Sequence, residues 1–478
     1  MKRKTIINRI ISLVLAAVMT VGNMNLPVMT VNAEPGWTKT VDNTGLGTGS
    51  IGDPKAPDSK DDPWTGSYVY YGTYGNQAAP VKYRVLDRET DRFGSKTIFL
   101  DCDTSLFYDA FRDDNTAENA NVWAASDIYT VLNGDDNGSF LNSSFTGAER
   151  SAIAESSVGT HDITVGSPMN TNYTQYTALD KDRIFLLDFE DVLNPDYGYY
   201  NDCGCNSNMV GHDVDNHKKG AFSENWWLRS ANSGESLYAG HVHNNGVVYG
   251  FTVSSGEGVS PAFNINLSSV IFSSEIKDGT GDNNYGAEYK LTVSDNKLSI
   301  NAGNVTRDGN VVSIPYTITY SSDSAEPDRV SVIVVTGGEW TDAGWSDGTV
   351  LKQYEKPDAE AFGLSGTGTF TLDDDLADDE WGKDYRVYIL AEDENDDEKG
   401  TDYASAPVEI KAINASVEGY DGAYDGQAHG ISITLNDPVS GAAIKYGTTA
   451  ESCVLNESPV VTDVNESAET VYYQITAP

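Results

Sequence analysis

Apolar and polar residues along this chain follow two different periods, and the points where the period changes divide it into parts. Residues 68–71, 81–86 and 97–100 are runs of β-branched and aromatic residues set between turn signals, which predicts three strands. The period then lengthens: Val122, Trp123, Ile128, Val131 and Leu132 recur at helical spacing until Asn133-Gly134 stops the run. Thr146 and Glu149 have the spacing of a capping box ahead of a short helix through Ile153. Residues 183–187 read as a strand, and Asp188 is placed to cap a helical turn over 189–193. After a loop over 194–225, short strands are expected at 226–229, 239–242, 247–253 and 262–265. These elements predict one α+β domain over residues 61–280, long enough to bury its own core.

Residues 287–412 have a different texture. Strands are expected at 289–293, 297–300, 311–320, 329–336, 368–372, 385–392 and 408–412, and seven short strands with Gly/Asp-rich connections fit an immunoglobulin-like or fibronectin-like sandwich. Residues 413–478 predict a smaller β unit that stops at Pro478 directly after a strand, so a module missing its last strand is expected. Residues 34–60, rich in Gly, Pro, Asp, Thr and Ser, read as a linker.

The N-terminus sets the expected compartment. Lys2, Arg3, Lys4 and Arg9 form a basic region, residues 10–21 an apolar one, and Val31-Asn32-Ala33 offers small residues at a cleavage offset. Residues 1–33 are therefore read as a cleaved export signal, because Gly22, Asn23, Asn25 and Pro27 interrupt the apolar run short of the ~20 residues a membrane span needs. No second apolar stretch and no lipidation cysteine after the signal ties the mature chain to a bilayer. The expected location is secreted or cell-surface associated.

Charge narrows the partners. With 31 basic and 72 acidic residues the chain carries −41, which argues against nucleic acid, whose binding is dominated by phosphate neutralisation. The acid runs at 373–375, 378–380 and 392–398 read as solvated loops. Calcium is the sharper reading for such acids. Asn133, Asp135, Asn137 and Gly138 match the first half of an EF-hand loop, but Ser144 stands where the bidentate Glu belongs, which argues against one. Four cysteines give no readable connectivity: Cys203 and Cys205 are too close to bridge to each other without strain, Cys102 could bridge to one of them, Cys453 lies in a different domain, and unpaired cysteines are as well supported as any bridge.

Trp226-Trp227-Leu228-Arg229-Ser230 is the densest aromatic signal. Neighbours on a strand point to opposite faces, so from a half-buried sheet both tryptophans cannot enter one core, and one is expected under a loop or in a binding surface. Trp226, Trp227 and Arg229 would suit a sugar platform, yet a core tryptophan beside an Arg satisfied by buried carboxylates or carbonyls is the favoured reading. Tyr197, Tyr199, Tyr200, Asn201 and Asn206 lie in the expected loop and carry adaptable recognition chemistry. His212, Asp213, Asp215, His217, His241 and His243 gather imidazole and carboxylate in the manner of zinc chemistry, and His241 and His243 would share a strand face; the 212–217 spacing matches no ligand pattern. No cofactor follows from this, and calcium or zinc are the cations such groups would suit. No Ser, His and acid are assignable to a triad, and 72 acids make any chosen carboxylate pair uninformative.

Tyr70-Tyr71-Gly72-Thr73-Tyr74, Tyr83-Arg84-Val85-Leu86-Asp87, residues 126–133, Phe140-Leu141 with Phe145-Thr146 and Glu149, residues 182–187, and the Trp-Trp-Leu-Arg-Ser segment form an ordered series. This series resembles the DUF6273 family of exported proteins from Gram-positive, often gut-dwelling, bacteria. The resemblance covers 61–275 and departs at Ser260, where the family usually shows arginine before Pro-Ala. A Trp-rich strand, a variable loop and a closing Pro-bearing strand are also similar to C-type-lectin-like and formylglycine-generating-enzyme-like folds, an analogy at the level of fold. Residues 424–430, 444–447 and 471–473 resemble the MBG-type repeats of bacterial surface adhesins. The resemblance implies a multidomain chain, with an α+β, C-type-lectin-like N-terminal domain followed by all-β immunoglobulin-like modules. The expected function is non-catalytic adhesion, the first domain binding glycan or a surface protein and the β modules acting as spacers. The alternatives are an extracellular enzyme acting on glycans or on cysteine residues, and a purely structural surface module.

Overall fold

The computed structural model describes residues 38–476 except 41–43, 59–61, 63, 161, 165–171, 175–177, 202–209, 212–224, 233, 245–247, 277–285, 304, 309, 323, 347–348, 357–362, 373–380, 383, 396, 412–414, 420–424, 436–441, 450–451 and 463–470. It is a multidomain, mostly β protein. Its first half is built on two sheets. In one, Tyr68–Tyr74, Ala79–Thr90 and Thr97–Cys102 form an antiparallel meander, continued by Ala262–Asn266 and Ile184–Phe185. In the other, the described strands run in the order Val248–Thr252, Tyr238–Val242, Trp226–Ala231, Gly256–Val259, Phe107–Ala110, antiparallel except where Trp226 faces Gly258.

The helix signals read from the sequence are present. Ser126 accepts from the Tyr129 amide at the start of Asp127–Asn133, and Thr146/Glu149 and Asp188/Asp191 each form a full capping box, on Gly147–Ala152 and Phe189–Leu193. Asn133 explains the end of its segment. Its side chain donates to the Ile184 carbonyl (2.7 Å) and accepts from the Ile184 amide (3.0 Å), so it stands in for a neighbouring strand at the sheet edge. Asn133 is thus committed to the fold, and the half EF-hand pattern is a turn in which Asp136 accepts from the Gly138 amide (2.7 Å). Replacing Asn133 with Ala should cost about 1–3 kcal/mol by stranding two backbone groups of Ile184, measurable as a shift in urea midpoint. Gly72 has a comparable reason: its φ is +62°, and a Cβ there would lie 2.6 Å from the Phe145 ring.

The second half is a two-sheet sandwich. Thr349–Lys356, Arg329–Thr336, Tyr385–Asp393 and Val408–Ile410 form one sheet; Leu298–Ala302, Thr306–Asp308, Val311–Tyr320 and Ser365–Thr371 form the other. Ile300, Val312, Ile314 and Ile318 meet Val330, Val332, Val334, Val387 and Ile389 between them. The opposite face of the first sheet is covered too. Ile333, Val335, Tyr388 and Leu390 pack with Leu46, Ile271 and Phe272, while Trp340 and Trp345 close over them. This is why 332–335 is continuously apolar rather than alternating.

The two halves are not separated at 280–287. Glu288–Ser294, expected as the first sandwich strand, runs parallel to Tyr68–Tyr74 and to Asp402–Ala404 and antiparallel to Val270–Glu275. One sheet of fourteen described strands therefore crosses both halves. The stretch read as a linker joins the same structure. Thr38–Thr40 pairs with 353–355, Thr44–Leu46 pairs with 272–274, and Ile51 is buried, because Leu46 and Ile51 supply apolar anchors in an otherwise polar stretch. From residue 415 on, the described strands form two pairs, Ala415–Glu418 with Ser432–Leu435 and Ala443–Gly447 with Tyr472–Thr476.

Candidate functional site

The Trp-Trp-Leu-Arg-Ser strand sits inside the first half with both faces covered. Trp226 is 2% exposed and Trp227 0%; the Trp227 ring meets Phe111 edge-on at 5.6 Å and its Nε1 donates to the Asp109 carbonyl at 3.0 Å. Both tryptophans are therefore core residues, which a strand covered on two sides permits and a half-buried one does not. Arg229, also 0% exposed, donates to Asp188 Oδ2 (2.5 Å), Asp191 Oδ2 (2.9 Å) and the Leu186 carbonyl (2.6 Å). Arg92 closes the network from outside, donating to Asp191 Oδ1 (2.5 Å) and Glu190 (3.0 Å). Burial works against the Arg92 charge, but Asp191 and Asp188 outweigh it and hold the guanidinium more basic than usual. Beside them Asp182 accepts from Trp123 Nε1 (3.1 Å), and burial raises its carboxyl above the ordinary range. The network fixes the Phe189–Leu193 helix to the Trp strand and leaves Arg229 no free donor face for a ligand.

The tyrosines of the expected loop divide. Tyr197 and Tyr199 are buried: Tyr197 meets Phe99 edge-on at 5.5 Å, and the Tyr199 hydroxyl donates to Asp101 beside Trp64. Their amphipathic rings supply core area, the hydroxyls reaching polar partners, so these two do not form a recognition surface. Tyr200–Asn201 pairs with Val210–Gly211 as strands. Asn206, Cys203, Cys205, His212, Asp213, Asp215 and His217 lie outside the described residues. Ser260, at the position of departure from the family pattern, is buried and donates to the Cys102 carbonyl (3.2 Å). The Cys102 thiol is buried and donates to the Lys82 carbonyl (3.9 Å), and Cys453 is partly exposed.

The histidines come together as the strand reading expects. His241 and His243 rings are 6.2 Å apart, and register sets Trp227, His241 and Tyr249 in a row across three adjacent strands. The His241 ring is 4.3 Å from Tyr249 and 4.9 Å from Phe251; His243 is 5.8 Å from Tyr249. Burial first, then His243, depresses His241 to about 3, with the Tyr249 backbone acting the other way, so it is a neutral imidazole at pH 7. Among the described residues, no group of three or more His, Cys, Asp or Glu is placed to hold a metal ion. His243, Tyr249 and Phe251 are half-buried, and Val248–Thr252 is the outer strand of its sheet in the described structure. The result is a partly open aromatic and imidazole face at a sheet edge. Tyr249 and Phe251 were legible only through register: at alternate positions of one strand, they fall opposite His241 and Ala239.

The first half thus defines a class before it defines a member: a two-sheet domain with short capped helices, pinned by a buried arginine-carboxylate network on a Trp-Trp strand. Residues 96–267 match the family model described as a domain of unknown function, DUF6273. No curated protein matches the chain. Among solved structures, a DUF3823 family protein from Bacteroides ovatus is similar at 12% identity, covering 36% of this chain and 82% of that one, with a TM-score of 0.16. Among the described residues no helix is long and apolar enough to cross a membrane.

Proposed function

We propose that this chain is an exported, non-catalytic binding protein of a Gram-positive bacterial surface. Its DUF6273 domain, C-type-lectin-like in architecture, engages a glycan or glycoprotein, and the immunoglobulin-like sandwich holds it in place. The observation that carries this reading is the half-buried face of His243, Tyr249 and Phe251 beside the fully buried Trp-Trp strand. Aromatic faces of this kind stack on the apolar faces of sugar rings, and the His243 imidazole is a donor or acceptor for a hydroxyl at the same place. Rigid aromatic groups bind with little ordering cost, which suits recognition without chemistry. The signal-like residues 1–33 and the net charge of −41 fit a soluble protein outside the cell.

The test is an array of polysaccharides, mucins and host glycoproteins probed with the chain from residue 34 onward. Binding to a defined subset is expected, and Tyr249→Ala should weaken it at least tenfold while leaving the melting temperature within a few degrees. Silence across the array, or binding indifferent to Tyr249, would remove the glycan reading.

A further inference from the structure

The acidic run at 392–398 is not wholly a solvated loop. Its first two residues end a core strand of the sandwich, where Glu392 pairs with Ala404 and Asp393 with Tyr403, and Glu392 is buried. That place is the seam between the two halves, because Asp402–Ala404 in turn pairs with Glu288–Ser294, the strand that also runs along Tyr68–Tyr74.

Charged groups meet here from every element around Asp393. Glu392 precedes it on its own strand and Glu394 follows it just past the strand's end. Glu326 and Asp328 come from the loop before Arg329–Thr336, and Asp402 comes from the facing strand. Asp295, whose carboxylate accepts from the Ser324 hydroxyl (2.8 Å) and the Ala325 amide (2.9 Å), lies at the end of the strand that carries Lys290. Against these acids stand two cations, each paired with neighbours of Asp393 rather than with Asp393 itself. Lys290 is 2.9 Å from Asp402 and 3.7 Å from Glu394, and Arg329 is 3.4 Å from Asp328 and bonded to Glu394. Tyr403, the neutral partner opposite Asp393, reaches across the seam to Thr146, 3.1 Å between hydroxyls.

We propose that the Asp393 cluster is an acid-responsive lock on the seam: protonation at this cluster removes like-charge repulsion between Tyr385–Asp393 and Asp402–Ala404, and the two halves hold together more firmly. Burial, then Asp328 and Asp402, raise the Asp393 carboxyl to about 6, above its ordinary value near 4. The sign follows from proton counting. Between about pH 6 and pH 4 the folded seam binds a proton that the unfolded chain does not, so stability is gained as pH falls through that window and is absent above it. A gap of two units would give about a hundredfold; with Asp393 half exposed, we expect about tenfold.

Amide hydrogen exchange in Tyr385–Asp393 and Asp402–Ala404, corrected for intrinsic rates, reads the lock in the full chain. Wild type should gain about threefold protection from pH 7 to pH 5, which covers half of that window. Asp393→Asn should show that protection already at pH 7 and change little on acidification. Asp342→Asn, on an exposed turn, controls for general loss of negative charge and should behave as wild type. Asp328→Asn keeps Asp393 and should move the window to lower pH, so a folding defect in the first variant would not leave the question undecided. The proposal is overturned if wild-type protection at the seam does not rise between pH 7 and 5, or if Asp393→Asn and Asp328→Asn both retain the wild-type pH dependence.

Discussion

A chain ending at residue 280 is expected not to fold, although it contains all of the DUF6273 match. Such a truncation removes Glu288–Ser294 from the middle of a sheet, where it touches Val270–Glu275 on one side and Tyr68–Tyr74 and Asp402–Ala404 on the other. Leu291 and Val293 are fully buried, Tyr289 nearly so with its hydroxyl on the Ser50 carbonyl (2.6 Å), and Glu288 receives both Lys82 (2.5 Å) and the Tyr70 hydroxyl (2.9 Å). At roughly 1.5–3 kcal/mol for each large apolar side chain, the three together are worth about 5–9 kcal/mol. That is comparable to the whole stability of a typical domain. Losing the sandwich also uncovers Ile271 and Phe272, which pack on Ile333, Val335 and Leu390 and lie under Trp345, whose Nε1 donates to the Ile271 carbonyl (2.9 Å). Chains 34–280 and 34–412 should therefore differ sharply in thermal melts followed by circular dichroism, with a cooperative transition only in the longer one. Cooperative melting of 34–280 within a few degrees of 34–412 would show that the shared strand is dispensable.

What the sequence disclosed and what it withheld have a common physical origin. Local signals were readable: the box at Thr146/Glu149 and the cap at Asp188 are satisfied within four residues, and the strands read at 68–71, 97–100 and 311–320 announce themselves by composition. Strands defined by a distant partner were not. Thr349–Lys356 is rich in polar residues and Thr38–Thr40 is a three-residue piece, and each is a strand because Arg329–Thr336 or its neighbour offers an edge. Glu288–Ser294 was recognisable as a strand, but nothing in its own residues says that it serves two halves. For the site, Trp227 and Arg229 carried the strongest pattern because they are core, whereas Tyr249 and Phe251 are ordinary strand aromatics whose meaning depends on register against His241.

Arg229→Met is expected to be the most damaging single substitution in the DUF6273 half, at about 3–5 kcal/mol, the usual cost of stripping one partner from a buried ion network. The side chains of Asp188 and Asp191 are fully buried; Arg92 still reaches Asp191 Oδ1, but Asp188 Oδ2 loses its guanidinium, and the Leu186 carbonyl loses a donor. The defect has a pH signature of known sign. A buried Asp188 without its cation takes up a proton more readily in the folded variant than in the unfolded chain, so the variant's deficit should shrink as pH falls from 7 towards 5. Asp188→Asn removes the orphaned charge while keeping a good cap for Phe189–Leu193, so the double variant should recover about half of the loss at pH 7 and lose the pH dependence. Urea unfolding of the four chains of this cycle at pH 7 and pH 5 makes the measurement. An arginine held for a ligand would behave otherwise, costing binding with little stability, so a change below about 1 kcal/mol for Arg229→Met would mean the network is not what fixes the Trp-Trp strand.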